Sequence, residues 1–217
     1  VNIVCYLDFI SPFAYVGWHA LKPVARELGT SVEIRPVLFA GLLNRWGQLG
    51  PAEIPPKREY IFKLASRRAH DIGRSLSPPP SHPFNPLLAL RAVTAVLADE
   101  QLGDPRRLID VLFDATWGGG PGVDDPEVVG DLLRNAGFDE KAILARAATA
   151  ETKSALRAAT DDAIEAGVFG VPTFVLDGEL FWGADSLPDL VRYARGADPV
   201  GNLERWRTLP ASAQRKR

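Results

Sequence analysis

The sequence predicts an α/β fold whose sheet comes from the two ends of the chain and whose middle is helical. Three observations carry this. Strand-type alternation brackets a helical stretch within the first forty residues, helical periodicity then runs from Leu42 to about Gly167, and the strand pattern returns at Pro172 around a two-residue turn.

Residues 2–9 alternate and are rich in strand formers (Ile3, Val4, Tyr6, Leu7, Phe9), ending at Ser11-Pro12. A helical stretch to Leu28 follows, with Ser11 suited to the N-cap and Pro12 to the first helical position, because the cap oxygen takes an orphan amide and proline has none to leave unpaired. Gly29 supplies the stop, and Pro23 inside the pattern is expected to kink the helix. Residues 31–39 (SVEIRPVLF) alternate again as a second strand, parallel to the first. The helical middle is broken by turn clusters at Gly47 to Pro56, Ser77 to Pro86, Gly103-Asp104-Pro105, Gly118 to Pro126 and Gly137. Residues 172–176 then form a strand, Asp177-Gly178 a turn, 179–182 the returning strand, and about 186–195 a final helix. The polar stretch from Gly196 to Arg217, ending Gln214-Arg215-Lys216-Arg217, reads as a loose extension. The organisation expected is a discontinuous α/β domain of residues 1–40 and 168–217 carrying an all-helical insertion of residues 41–167.

Composition narrows the function classes. At 217 residues and 46% hydrophobic content the chain can bury a sizeable core, and a net charge of -2 offers no basic field for nucleic acid or an anionic membrane surface. The single cysteine, Cys5, excludes an internal disulfide and a Cys-x-x-Cys pair, which fits a reducing compartment. With no basic n-region, cleavage site or membrane-length apolar run, the expectation is a cytoplasmic protein whose partner is a small polar ligand. His19, His70 and His82 lack ligand spacing, so none is assigned to a metal. Arg67-Arg68 and Arg106-Arg107 read as solvated helix faces, Arg35 as a strand-face arginine, and Trp46, Trp117 and Trp206 as packing residues.

Two places could carry chemistry. Ser11 lies where a strand gives way to a helix, beside unsatisfied amides and the positive end of the helix dipole, where a thiolate would be stabilised and the hydroxyl could donate to its sulfur. A plain helix cap explains the same residue. In Gly170-Val171-Pro172-Thr173, a proline opens a strand; a cis Val171-Pro172 bond would leave the Val171 backbone free to pair with an extended peptide, while an ordinary edge-strand proline would need no ligand.

The segments Asp8-Phe9-Ile10-Ser11-Pro12-Phe13-Ala14-Tyr15, Phe84-Asn85, Trp117-Gly118, Val168-Phe169-Gly170-Val171-Pro172-Thr173 and Phe181-Trp182-Gly183-Ala184-Asp185 occur in an order and spacing that resembles the 2-hydroxychromene-2-carboxylate isomerase family. That family and the kappa-class glutathione transferases share a thioredoxin-like core with a helical insertion like that of the DsbA oxidoreductases. The resemblance spans nearly all of residues 1–195. It implies glutathione as cofactor, with Ser11 activating the sulfur, Val171 and Pro172 pairing with the cysteinyl backbone, and Trp182, Gly183, Ala184, Asp185 and Ser186 receiving the γ-glutamyl end. A homodimer is implied as well.

The chain also departs from the family. Gly183-Ala184-Asp185-Ser186 stands where the family commonly has Gly-Asn-Asp-Arg, and Leu43 and Glu53-Ile54 stand where naphthalene-pathway relatives offer a lysine and an Asn-Arg pair. The substrate is therefore expected to differ or to be held by Arg45, Lys57 or Arg58, with Asn85 either facing the cleft or capping a helix. The activity implied is glutathione-dependent isomerisation of an unsaturated aromatic carboxylate. A kappa-like transferase or peroxidase and a non-catalytic thioredoxin-like binding module are the alternatives.

Overall fold

The computed structural model describes residues 2–210. The sheet is organised around β1 (Asn2–Leu7), which pairs in parallel with β2 (Ser31–Pro36), setting Ile3 beside Val32 and Cys5 beside Ile34. On its other edge β1 pairs antiparallel with β3 (Thr173–Leu176), setting Cys5 beside Phe174, and β3 turns back into β4 (Glu179–Trp182). The order is β2-β1-β3-β4. Successive β1 side chains enter two different apolar clusters, Ile3, Cys5 and Leu7 in one and Tyr6 in the other, so both faces of the strand are covered. The turn between β3 and β4 places Asp177 and Gly178 both at positive φ (50° and 84°), the backbone that a two-residue hairpin needs to match the strand twist.

α1 (Pro12–Glu27) connects β1 to β2 and runs unbroken through Pro23, which sits on its exposed face. β2 is shorter than the expected 31–39 strand. Val37 N–H still reaches Leu7 O (3.0 Å), but the next two amides turn to side chains, Leu38 N–H to Thr160 Oγ1 (3.0 Å) and Phe39 N–H to Asp8 Oδ2 (2.9 Å). With those donors diverted the chain enters α2 (Phe39–Trp46) instead of extending the sheet.

The helical middle continues through α3 (Pro55–Asp71), α4 (Leu87–Ala98), α5 (Pro105–Trp117), α6 (Pro126–Asn135), α7 (Glu140–Ala148) and α8 (Ala150–Glu165). Three helices start on the same local device, a hydroxyl or carboxylate cap followed by proline: Ser11-Pro12, Asp104-Pro105 and Asp125-Pro126. The junction of α7 and α8 has neither glycine nor proline; Thr149 makes it, accepting Thr152 N–H (3.2 Å) and donating to Arg146 O (2.8 Å). The last helix begins with a 3-10 turn at Ala184–Ser186 and becomes α9 (Leu187–Ala194). Beyond it, residues 199–210 are exposed and contain one short helix, α10 (Glu204–Arg207); Trp206 is 72% exposed, so it does not pack as expected. The basic end Gln214 to Arg217 lies outside the described residues.

The main core is shared by sheet and helices. Ile3, Leu7, Phe9, Trp18, Leu90, Phe113, Trp117 and Phe174 belong to one apolar cluster, so α1 shares its core with the sheet and the inner helices, meeting α5 directly where Tyr15 lies edge-on to Phe113 and Trp18 donates to Asp110. That packing sets the position of the α1 N-terminus.

Candidate active site at the start of the first helix

Ser11 is the one helix cap in the Ser/Asp-Pro series that is buried, with 9% of its surface exposed. Its Oγ accepts Ala14 N–H (3.1 Å) and its hydroxyl donates to Val171 O (3.1 Å), a residue 160 positions away. Asp104 and Asp125 cap their helices from exposed positions. The cap reading of Ser11 is therefore correct but incomplete, because the same hydroxyl bridges to the loop that opens β3.

That loop has the geometry expected of it. The Val171–Pro172 bond is cis, and Thr173 Oγ1 closes the turn on Gly170 O (2.7 Å). The Val171 N–H makes no hydrogen bond among the described residues. Pro172 O accepts Gly183 N–H (2.9 Å), and Ser186 Oγ donates to Gly183 O (2.8 Å), so the Gly183–Ser186 segment is fastened directly to the proline loop. Ser11, Val171-Pro172 and Gly183-Ala184-Asp185-Ser186 thus form one connected site. Asp185 is exposed and Ala184 is buried, leaving the carboxylate as the polar group that this segment presents to solvent. Trp182, 55% exposed, stands edge-on to Phe169 with ring centres 5.2 Å apart, and its Nε1 occupies the space a Cβ on Gly170 would need.

α1 can approach this loop because residue 17 is glycine. A Cβ there would lie 2.8 Å from Pro172 Cγ and 3.1 Å from Phe174 Cζ.

The proposed substrate residues fare differently. Asn85 is exposed, with Oδ1 accepting Leu87 N–H (3.1 Å) and its own N–H on Asp124 Oδ1 (3.0 Å), so it caps the approach to α4. Arg45 lies over the Trp46 ring (5.5 Å), and Lys57 is exposed in the first turn of α3; neither forms an ion pair among the described residues. Trp46 does more than pack: it is 39% exposed and donates Nε1–H to Val168 O (2.9 Å), fixing the end of α2 to the approach of the proline loop. Arg35 is engaged on the strand face by Glu33, 2.6 Å away.

Three residues hold the Ser11 turn in ways that the sequence does not predict. Asp8, 1% exposed, accepts Ile10 N–H on Oδ1 (3.1 Å) and Phe39 N–H on Oδ2. Trp117, fully buried, donates Nε1–H to Phe9 O (2.8 Å). His82 Nε2 pairs with Ile10 O (3.1 Å), its ring set among Phe62, Phe84 and Trp117, while Arg58 donates to His82 O (2.8 Å). Burial pushes the Asp8 carboxyl up to about 7 against the pull of the Phe39, Ile10 and Phe9 amides. Burial also lowers the pKa of His82, opposed by its bond to Ile10 O. An Asp three residues ahead of a capping Ser was the available signal, but local pattern does not reveal that its second oxygen reaches α2. Among the described residues no group of three or more His, Cys, Asp or Glu gathers as a metal site, and no helix is long and apolar enough to cross a membrane.

A mixed four-stranded sheet, with a helix starting from its central strand and a buried serine bridged to a cis-proline loop, defines a thioredoxin-like α/β protein with a serine at the helix start. Residues 2–194 match the DSBA-like thioredoxin domain, and the chain belongs to that family. It is 29% identical over 198 residues to a 2-hydroxychromene-2-carboxylate isomerase of Pseudomonas sp. (strain C18), covering 90% of each chain. It is 27% identical over 201 residues to glutathione S-transferase kappa 2 of Caenorhabditis elegans, covering 87% of this chain and 89% of that one. Among solved structures, a selenomethionine 2-hydroxychromene-2-carboxylate isomerase superposes with a TM-score of 0.79 at 25% identity, covering 90% of this chain and 95% of that one.

Proposed function

We propose that this protein is a glutathione-dependent isomerase of an unsaturated aromatic carboxylate, working by reversible addition of the glutathione thiolate. The observation that carries the proposal is the 3.1 Å bond from the Ser11 hydroxyl to Val171 O. Rotation about the Ser11 Cβ–Oγ bond moves that proton from the carbonyl to an incoming sulfur. The same motion frees Val171 O to accept the cysteinyl N–H of glutathione, and the unpaired Val171 N–H meets the cysteinyl carbonyl. Thiolate charge is then held by the hydroxyl and by the N-terminus of the sixteen-residue α1.

The chemistry needs no net oxidation. The thiolate adds to an electrophilic carbon of the substrate, its electron pair forming the C–S bond while the π pair moves onto the conjugated carbonyl. The former double bond rotates as a single bond. Expulsion of the thiolate then restores the π bond and returns glutathione unchanged. Charge on the carbonyl oxygen and the substrate carboxylate calls for a cation at the rim, for which Arg45, stacked on Trp46, and Lys57 are the assigned candidates. Asp185, opposite in charge to the γ-glutamyl ammonium, takes that end of glutathione. The homodimer implied by the family resemblance and the cytoplasmic location expected from the sequence belong to the same proposal.

The test is Ser11→Ala. It removes a helix cap, which costs about 1 kcal/mol, and should leave a folded protein whose glutathione-dependent turnover falls at least a hundredfold. Reduced glutathione titrated calorimetrically into the parent protein should bind with proton release. Turnover in Ser11→Ala equal to that of the parent would reduce Ser11 to a structural cap, and absence of glutathione binding by the parent would leave a binding module.

A further inference from the structure

We propose that Asp8 is a positioning residue for Ser11: its carboxylate ties the turn carrying Ser11 to the start of α2 and so fixes the two backbone segments between which glutathione lies. The inference rests on the glutathione reading of that site but names a residue and a control that the reading does not contain.

The geometry is a closed ring of contacts. Asp8 Oδ1 takes Ile10 N–H and Oδ2 takes Phe39 N–H, so one carboxylate joins the residue before Ser11 to the first residue of α2. The other end of α2 is fastened by Trp46 Nε1–H to Val168 O, in the approach to the proline loop. That loop returns to Ser11 through Val171 O. α2 is thus a strut between the two sides of the site, and Asp8 is its attachment on the Ser11 side. On that side the neighbouring backbone acceptors are already occupied, Phe9 O by Trp117 and Ile10 O by His82, so the Ile10 N–H held by Asp8 completes the grip on the turn.

An apolar-sided strand end is a costly place for a carboxylate, and the amides it accepts are what such a group needs in order to stay ionised. Backbone amides are the only groups that act on it; among the described residues no side-chain cation or carboxylate from β1, α2 or α8 does so. With its pKa raised to about 7, Asp8 gains its proton across the neutral range, and a protonated carboxyl accepts both amides less well. The strut is therefore tight above neutral pH and loosened below it.

The experiment compares the parent protein with Asp8→Asn, which keeps the side chain's shape but presents an NH2 group where one amide requires an acceptor. Calorimetric titrations with reduced glutathione run from pH 5.5 to pH 8.5. Taking the ratio of the two dissociation constants cancels the titration of glutathione itself. Asp8→Asn should bind about tenfold more weakly at pH 8, with the ratio approaching one at pH 5.5, where the parent is protonated. A ratio that is flat with pH, or equal to one at pH 8, overturns the proposal.

A second measurement needs neither variant nor ligand. In the parent, the Ile10 and Phe39 amide resonances should shift together with a midpoint near 7, and hydrogen exchange at Ile10, Ser11 and Phe39 should rise at least tenfold from pH 8 to pH 5.5 relative to the intrinsic rate. At Val32 and Ile34 in β2, which open only with the whole sheet, it should not rise. Amides that do not titrate, or exchange that rises evenly across the sheet, refute the tie. If the parent binds no glutathione while these amides behave as stated, the glutathione reading fails and the tie stands.

Discussion

Replacing Gly17 with alanine sets two effects of known sign against each other. Alanine is favoured over glycine inside a helix by about 1 kcal/mol, so local propensity alone predicts a more stable α1. The added methyl would sit 2.8 Å from Pro172 Cγ, 3.3 Å from Pro172 Cβ and 3.1 Å from Phe174 Cζ. Neither partner has room to yield. Pro172 is held through its carbonyl by Gly183 N–H, and Phe174 is fully buried in β3 between Cys5 and Phe181. Overpacking of this kind costs about 1–3 kcal/mol, and with neither partner able to yield the upper half of that range applies, so after the gain in propensity the net loss is about 1–2 kcal/mol. For a chain of this size that is about 3–6 °C in Tm, read by circular dichroism. Relief to an ordinary carbon contact needs α1 and the loop to part by about 0.7 Å, enough to break the 3.1 Å Ser11–Val171 bond. Glutathione affinity should fall with the Tm. A Gly17→Ala protein with a Tm equal to or above the parent's would show that α1 does not press on the proline loop, and the site geometry derived from that contact would be wrong.

Other perturbations separate the remaining parts of the argument. Ser11→Cys, exposed to glutathione disulfide, should release one glutathione and keep the other as a mixed disulfide, seen as a mass increase reversed by reductant, because Cys5 is fully buried and its thiol is pushed up to about 12 by that burial. Trp117→Phe leaves Phe9 O without its buried donor and should lower stability by about 1–3 kcal/mol in urea unfolding; an unchanged midpoint would show that water replaces the indole. Asp8 gives stability an unusual pH slope. Its pKa rises from the ordinary 3.8 to about 7 on folding, so the folded chain holds the proton more tightly; its contribution is full below about pH 3.8 and is lost as pH rises through 7. Between pH 5 and pH 8 that is about 3 kcal/mol, to be read as the difference in slope between parent and Asp8→Asn. Parallel slopes would exclude a raised pKa.

The sequence revealed most where local chemistry and long-range geometry coincide. Ser11-Pro12, Asp104-Pro105 and Asp125-Pro126 are visible because a cap and a first-turn proline act within three residues, and Asp177-Gly178 is visible because the turn needs positive φ at both positions. The end of β2 is not legible in the sequence for the opposite reason: residues 37–39 alternate like a strand, and what stops them is the Thr160 hydroxyl, 122 residues away, and Asp8. The α7–α8 break at Thr149 lies in an alanine-rich run with no punctuating residue, so only the hydrogen bonds of the Thr149 hydroxyl mark it. Within the site, the segments carried by motif came together, whereas Asn85 proved to spend its side chain on a local amide. The roles of Asp8, His82, Trp46 and Trp117 depend on partners remote in sequence, which a single chain's pattern does not encode.

The central strand of the sheet is made first and completed last. β1 and β2 can pair as soon as the first 36 residues are available, but the other edge of β1 waits for Val175 and Phe174 to reach Val4 and Cys5. Closing a loop of roughly 170 residues costs about 4–5 kcal/mol in chain entropy before the first of those bonds forms. On a ribosome adding roughly 5–20 residues each second, the strand that precedes Ser11 stands for about 10–30 s with one row of backbone donors and acceptors unmatched. An open, apolar edge of that kind is a template for any other extended segment, including the same strand of a neighbouring nascent chain. In the finished protein α4 lies against β2 and α5 against α1, so a nascent chain that packs these helices as they are made keeps its half-built sheet folded against itself until the last two strands arrive.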